Sequence, residues 1–454
     1  MLLKQNVSEK IRDKLVHCDD LVIRSFPEIN IEVMFIGHLI GEQELFDNVL
    51  MPFSKVTNNE VKSLLKRKEY KLKTDLNEII KGILEGKAAI IYKNTEAYLI
   101  DIYVPKTRSV TPAEIETVII GPKEAFIEDI FTNLSMIRRR IKSPRLKVSS
   151  LEVGKITNTE CSLIYIEGLT PPSLIKYVEE KMNKLDVEGV TDLNMLTEHL
   201  DSKQLSIFPQ FFTTERPDVV VSKLLQGRVV GLVDGSPYAF SAPTNFFEFF
   251  QSPDDYNQRW LLGTLSRLLR FIALFITLFA SAFYVAVCMF HYEMMPIKLL
   301  HTFIESRSKV PFNPFIEALI IESVIELLRE AGARLPSKIG QTIGIVGGIV
   351  IGTAAVEAGF TSNLLIIVVS ISAISSFVVP HIIMTASLRI TRFLLIILAS
   401  IWGIFGIIIG FVFILIHLNR LKVIGEFYLK PIAPLYIKLW KDTIIRVPFK
   451  NLKK

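Results

Sequence analysis

The spacing of hydrophobic positions changes character near Gln258. Up to that point short apolar runs alternate with polar stretches, the pattern of strands and amphipathic helices. Beyond it come long uncharged runs. Phe271 to Phe290 reads FIALFITLFASAFYVAVCMF. At about 1.5 Å per residue a helix of that length crosses a hydrocarbon core of roughly 30 Å. Arg259, Arg267 and Arg270 precede it, the basic flank expected on the cytoplasmic side. A second uncharged run covers Phe393 to Ile416, preceded by Arg389 and Arg392 and followed by His417, Arg420 and Lys422. Between the two, the run Ile339–Val356 is apolar and carries Gly340, Gly344, Gly348 and Gly352 at every fourth position, and Leu364–Val379 is apolar and serine-rich. The expected spans are therefore 271–290, 339–357, 364–380 and 393–416.

Phe312 to Ala331 has a different pattern. On a helical wheel Glu322, Glu326, Arg329 and Glu330 share an arc of about 100°, while Glu317 lies opposite among aliphatic residues. That predicts an amphipathic helix, either lying in the membrane interface or facing a protein or water interior. If it does not span, there are four spans and the C-terminus is inside. If it does, there are five. The excess of basic residues near the membrane leans to four.

The region before Gln258 repeats itself. A strand IEVMFIGHLI is followed by a helical stretch and then by EIIKGILEGKAAIIYKNTEAYLID. A strand CSLIYIEGLT is followed by a helix and then by DVVVSKLLQGRVVGLVDGSPYAFSA. Both copies end as helix, L-x-G-[KR] turn, β-branched strand, polar turn, strand. Gly86 and Gly227 fall where a helix end needs a left-handed residue. The fold class that follows is α/β in two tandem related subdomains, then an all-α integral membrane domain of four or five spans plus the amphipathic helix. The expected boundaries are 1–137, 138–258 with a basic linker at its start, 259–425, and a basic tail over 426–454.

Charge sharpens the division. The chain of 454 residues has a net charge of +6, but residues 1–258 carry −5 and the remainder +11. The basic balance thus belongs to the membrane half, which argues against a nucleic-acid partner and for contact with membrane lipids. The N-terminus has charges spread through it and no apolar core, so no signal peptide is expected and the first half should be cytoplasmic. Cys18, Cys161 and Cys288 are far apart, which excludes a C-x-x-C zinc or disulfide framework. No phosphate loop, dinucleotide fingerprint, H-E-x-x-H or G-x-S-x-G elbow occurs, so neither an enzyme, a cofactor nor a metal site is expected.

Candidate chemistry lies in and beside the membrane, where ionisable groups are costly. Glu357 either lines an ion path or caps a turn at the bilayer edge. Glu322, Glu326 and Arg329 either pair along their own helix or line a wet vestibule. Glu317 seeks a partner on a neighbouring helix or subunit. Gly340, Gly344, Gly348 and Gly352 either permit close helix packing or line a narrow pore. Arg138, Arg139 and Arg140, within RRRIKSPRLK, either contact lipid headgroups, nucleic acid or an acidic partner surface such as another copy in an oligomer, or form a solvated linker or a helix end paired with nearby acids.

The stretches GPKEAFIEDIFTNLSMIRRRIKSPRLKV, TERPDVVVSKLLQGRVVGLVDGSPYAF, FFQSPDDYNQRW, PFIEALIIESVIELLREAGARLP and IGQTIGIVGGIVIGTAAVEAG resemble the A subunits of spore germinant receptors of endospore-forming bacteria. The resemblance implies a receptor subunit of the spore inner membrane that works with a transporter-like B subunit and a lipoprotein C subunit. It also implies a homo-oligomeric ring that passes ions. The expected function is a nutrient-gated cation channel, the alternatives a non-conducting scaffold or, last, a secondary transporter.

Overall fold

In a computed structural model the described residues are 6–104, 113, 116–335, 348, 350, 352–436, 440–448 and 450. Gly340 and Gly344 lie outside them. The chain forms two compact units, one of residues 1–204 and 211–244, the other of residues 205–210 and 245–454.

The first unit contains two five-stranded antiparallel sheets of the same order. In the first, β1 (Leu21–Phe26), β2 (Ile31–Ile36), β3 (Lys71–Lys73), β4 (Lys87–Tyr92) and β5 (Glu96–Asp101) lie as β1-β2-β4-β5-β3. In the second, β6 (Leu146–Val153), β7 (Thr159–Ile166), β8 (Phe212–Thr214), β9 (Val229–Val233) and β10 (Ala239–Ala242) lie as β6-β7-β9-β10-β8. The repeat read in the sequence is thus a repeat of topology, each copy placing its third strand at the far edge.

Alternation along the strands decides what each face meets. Ile31, Val33 and Phe35 of β2 join Val49, Phe53 and Leu64 from short helices between residues 42 and 65, and Tyr70 from the turn before β3. Met34 and Ile36 instead join α1 (Val7–Lys14) and α2 (Leu76–Leu84) through Ile11, Ile79 and Ile83. Burial on both faces explains why β4, KAAIIY, is apolar almost throughout. The second sheet packs α3 (Ile130–Arg140) and α5 (Pro217–Leu225) through Leu134, Ile137, Val220 and Leu224, with α4 (Pro172–Asn183) between them in the chain. Gly86 and Gly227 end α2 and α5 at φ +89° and +81°. A side chain on Gly227 would also meet the Leu169 carbonyl at 2.6 Å.

The second unit is helical. Its elements are α6 (Trp260–Phe290), α7 (Ile297–Arg307), α8 (Pro314–Arg334), α9 (Asn363–Val378), α10 (Ile382–Trp402) and α11 (Ile404–Arg420). Two of these, α6 and α10, are long and apolar enough to cross a bilayer, with mean hydropathies of 2.4 and 1.9 over their most apolar windows. α9 and α11 are shorter apolar helices.

The apolar run Phe393–Ile416 is not one helix. It breaks at Gly403, whose φ of +59° suits a residue without a side chain, and where a Cβ would press on His291. After the break the chain folds back, with Gly406 against the Leu398 carbonyl and Gly410 against Leu395. Glycine on that face lets two backbones approach closely, so the apparent span is the end of α10 and the whole of α11 in a hairpin. The basic flank of the first span also differs from expectation. Arg267 is fully buried and Arg270 nearly so, both paired with Asp255, the latter at 2.8 Å. Arg267 also reaches Asp442 of the C-terminal region at 3.3 Å. These arginines hold protein to protein rather than protein to headgroups.

Candidate functional site

Apart from Arg267 and Arg270, which are held by Asp255, buried ionisable groups of the helices α8 and α10 meet in one polar seam with hydroxyls of α6 and α9. The α8 helix begins at Asn313, whose side chain caps the Phe315 N–H, with Pro314 in its first turn. It packs among α6, α9 and α10, and both Glu317 and Glu322 have 0% exposure. The interior alternative of the sequence reading is therefore the arrangement found. The polar contacts step backwards along α6, from Tyr284 to Ser281 to Thr277, as they step forwards along α8 and α9, so both run antiparallel to α6.

At one level Glu317 pairs with Arg307 of α7 at 2.9 Å and accepts hydrogen bonds from the Ser362 N–H at 2.6 Å and the Thr361 hydroxyl at 3.1 Å. Ser362 in turn bonds the Tyr284 hydroxyl at 2.9 Å. Glu317 has thus found the partner its isolated position called for, on the helix just before it. A turn and a half further along α8, Glu322 accepts from Ser281 at 2.5 Å and lies 2.7 Å from Arg392 of α10. Arg392 also reaches Glu326 at 3.1 Å and donates to Ser372 of α9 at 3.0 Å. Arg389, one turn earlier in α10, pairs with Glu326. Arg329 closes the seam, donating to Ser376 at 2.9 Å with its guanidinium over the Phe377 ring at 4.5 Å.

Glu330 pairs along α8 with Arg334 at 2.6 Å, but Glu322 and Glu326 are not paired that way. They are met across the bundle by Arg389 and Arg392, which the sequence reading had left as flanking residues. A signal was present: two arginines three apart on one helix match two glutamates four apart on another. Three arginines and two glutamates meet here, so the seam carries one more positive than negative charge. Each carboxylate is neutralised within the chain, and as found neither Glu322 nor Glu326 offers a free negative charge to an aqueous path.

Glu357 is placed otherwise. It is exposed at the end of the helical segment 352–357 and makes no ion pair among the described residues. Gly352, which starts that segment, and Gly348 before it meet little among the described residues. A Cβ on Gly348 would find nothing within 4 Å, and one on Gly352 only the tip of Ile366 at 4.0 Å. Arg138 is also relocated. The run RRRIKSPRLK ends α3, forms a turn and starts β6. Arg138, 1% exposed, binds both oxygens of Asp20 at 2.8 Å and the Leu146 carbonyl at 2.9 Å. It fastens the two repeats of the first unit together. Arg139 and Arg140 stay near the surface beside Glu124.

The chain is therefore a two-part protein, an α/β repeat unit and a helical unit with a buried charged seam and two helices long and apolar enough to cross a membrane. Residues 9–454 match the family described as Bacillus/Clostridium GerA spore germination protein, and the chain belongs to it. It is 42% identical over 400 residues to spore germination protein A1 of Bacillus subtilis (strain 168), covering 88% of this chain and 83% of that one. It is 37% identical over 462 residues to spore germination protein GerLA of Bacillus cereus, covering 98% and 94%. Among solved structures, the N-terminal domain of the A subunit of the Bacillus megaterium spore germinant receptor GerK3 is 25% identical and aligns with 52% of this chain and 93% of that one, at a TM-score of 0.41.

Proposed function

We propose that this chain is the A subunit of a nutrient germinant receptor in the spore inner membrane, with its first unit cytoplasmic. It assembles into a homo-oligomeric, nutrient-gated cation channel whose opening starts germination. A transporter-like B subunit and a lipoprotein C subunit complete the receptor. The observation that carries this reading is the exposure of Gly348 and Glu357: among the described residues a Cβ on Gly348 meets nothing within 4 Å and Glu357 makes no ion pair. Repeated around an axis, Glu357 would supply the acidic ring that favours cations. The seam of Glu322, Glu326, Arg389 and Arg392 would hold the surrounding helices.

A second reading, a non-conducting scaffold that couples the nutrient sensor to a separate channel, is favoured by the neutralisation of Glu322 and Glu326. Conductance of the purified chain in planar bilayers, alone and with its partner subunits, decides between them. The channel reading expects cation-selective currents whose selectivity falls in Glu357→Gln. Absence of current in every assembly, in a chain whose deletion still blocks germination, would replace the channel with the scaffold.

A further inference from the structure

Residues 205–210, LSIFPQ, belong to the helical unit, although the chain on both sides of them, up to Gln204 and again from Phe211, belongs to the first unit. The second repeat thus lends six residues to the membrane half and takes the chain back immediately. Within the helical unit these residues are held at several points. Ser206 Oγ lies 2.9 Å from Nε2 of His417, in the last turn of α11. The Phe208 ring, 3% exposed, sits 6.0 Å from the His417 ring and 6.4 Å from that of Phe246. The Pro209 carbonyl accepts a 2.6 Å hydrogen bond from the Tyr428 hydroxyl. The Ile207 carbonyl accepts from Ser387 Oγ on α10.

Ser387 stands two residues before Arg389 and five before Arg392. Its hydroxyl also bonds the Ile383 carbonyl at 3.0 Å, which ties the loop to the first turns of α10. The arginines that neutralise Glu322 and Glu326 therefore ride on the helix whose start this loop grips. Six residues with this many tethers contain little slack to absorb a displacement of the flanking chain.

We infer that the 205–210 loop is a coupling element: it transmits displacement of the second α/β repeat to α10, and so sets the register of Arg389 and Arg392 against Glu322 and Glu326. This goes beyond the receptor reading, and its test needs neither conduction nor nutrient.

The test is hydrogen exchange on the full chain in lipid nanodiscs. Phe208→Ala should speed exchange of amides 382–392 by at least about tenfold while the two sheets exchange as before. Tyr428→Phe, which removes one hydrogen bond and little packing, should act on the same amides more weakly. Unchanged exchange there in both variants would overturn the docking. Transmission is tested with Leu232→Val, a mild loosening of the second sheet, combined with Gly-Ser-Gly insertions between Gln204 and Leu205 and between Gln210 and Phe211. With the native loop Leu232→Val should also speed exchange at 382–392. With the slackened loop that remote effect should fall at least about fivefold. A remote effect that is absent with the native loop, or equal with and without slack, would overturn the coupling.

Discussion

Arg138 of the first unit and Arg392 of the second are both buried, at 1% and 0% exposure. Arg138 has one carboxylate, Asp20, in a two-bond clasp of 2.8 Å each, and its third contact is a backbone carbonyl. That arrangement has a single geometry. Arg392 is shared between Glu322 and Glu326, and Glu326 is shared in turn with Arg389. Glu326 is thus served by two arginines, while Glu322 pairs with Arg392, the arginine that both glutamates share. The first pair is a single clasp between two repeats, whereas the second is a shared set between two helices. Buried ion pairs are weak evidence of stability and better evidence of specified geometry, and here the geometries specified are of two kinds.

The comparison is broken most severely at Arg392. Arg392→Ala leaves Glu322 buried with only Ser281 to serve it, and removing one partner of a buried pair costs about 3–5 kcal/mol. Thermal unfolding of the purified chain in detergent should show that loss. Arg389→Ala should cost only about 1 kcal/mol, because Arg389 and Glu326 keep 21% and 24% of their side chains in contact with solvent. Equal effects at the two positions would mean that the seam is not shared as described.

Arg138→Ala comes next, at about 3 kcal/mol. Asp20 keeps only His38 at 3.8 Å, and the two sheets lose their clasp while each keeps its own core. The expected signature is faster hydrogen exchange at the junction near Asp19 and Val148, whose backbones are joined at 3.0 Å. Protection unchanged at that junction would show that the clasp is dispensable.

Legibility in the sequence follows the distance over which each interaction acts. The repeat could be read because its signals are local: a helix, a glycine at positive φ, and two strands within some 25 residues, twice over. The strand order could then be expected to repeat. The seam joins residues 63 to 70 positions apart, Glu326 to Arg389 and Glu322 to Arg392, and no periodicity within one helix reveals a partner on another. Placing Arg389 and Arg392 outside a span was the direct result of reading Phe393–Ile416 as continuous. Tryptophan, isoleucine and phenylalanine around Gly403 kept the hydropathy high across a break that only backbone conformation defines. Glycines at 403, 406 and 410 were the available hint, since they share one helical face and mark a close approach. Asp255 was hidden in the same way, because its partners Arg267 and Arg270 lie 12 and 15 positions further along the chain, across a helix start.

A smaller effect, confined to the first unit, comes from Glu116. Its carboxylate accepts from the Thr214 hydroxyl at 2.5 Å, and its N–H donates to Glu215 at 2.6 Å. Burial, reinforced by the Glu215 charge and opposed by the Thr214 hydrogen bond, raises its pKa from 4.5 to about 7. The folded chain therefore holds this proton more tightly than the unfolded chain. The stability it confers is complete below pH 4.5 and is lost as pH rises toward about 7. The loss is on the order of 3 kcal/mol. Exchange protection of β8 and β10 should weaken over that interval, and Glu116→Gln should remove the slope. A slope that survives in Glu116→Gln belongs to another group.

The smallest effect on folding is expected at Gly348, which contrasts with the closed turn at Gly227. A Cβ there meets nothing within 4 Å, so Gly348→Leu should change the stability of the single chain by less than about 0.5 kcal/mol. Gly227→Leu in the first unit would instead strain a φ of +81° and strike a carbonyl at 2.6 Å. If the open face of segment 348–357 is where copies of the chain meet, Gly348→Leu will fold normally and yet shift the oligomer distribution measured by native mass spectrometry, because leucine holds apart the backbones that glycine lets approach. Normal folding with an unaltered distribution would turn that face toward lipid and remove the glycine ladder from assembly.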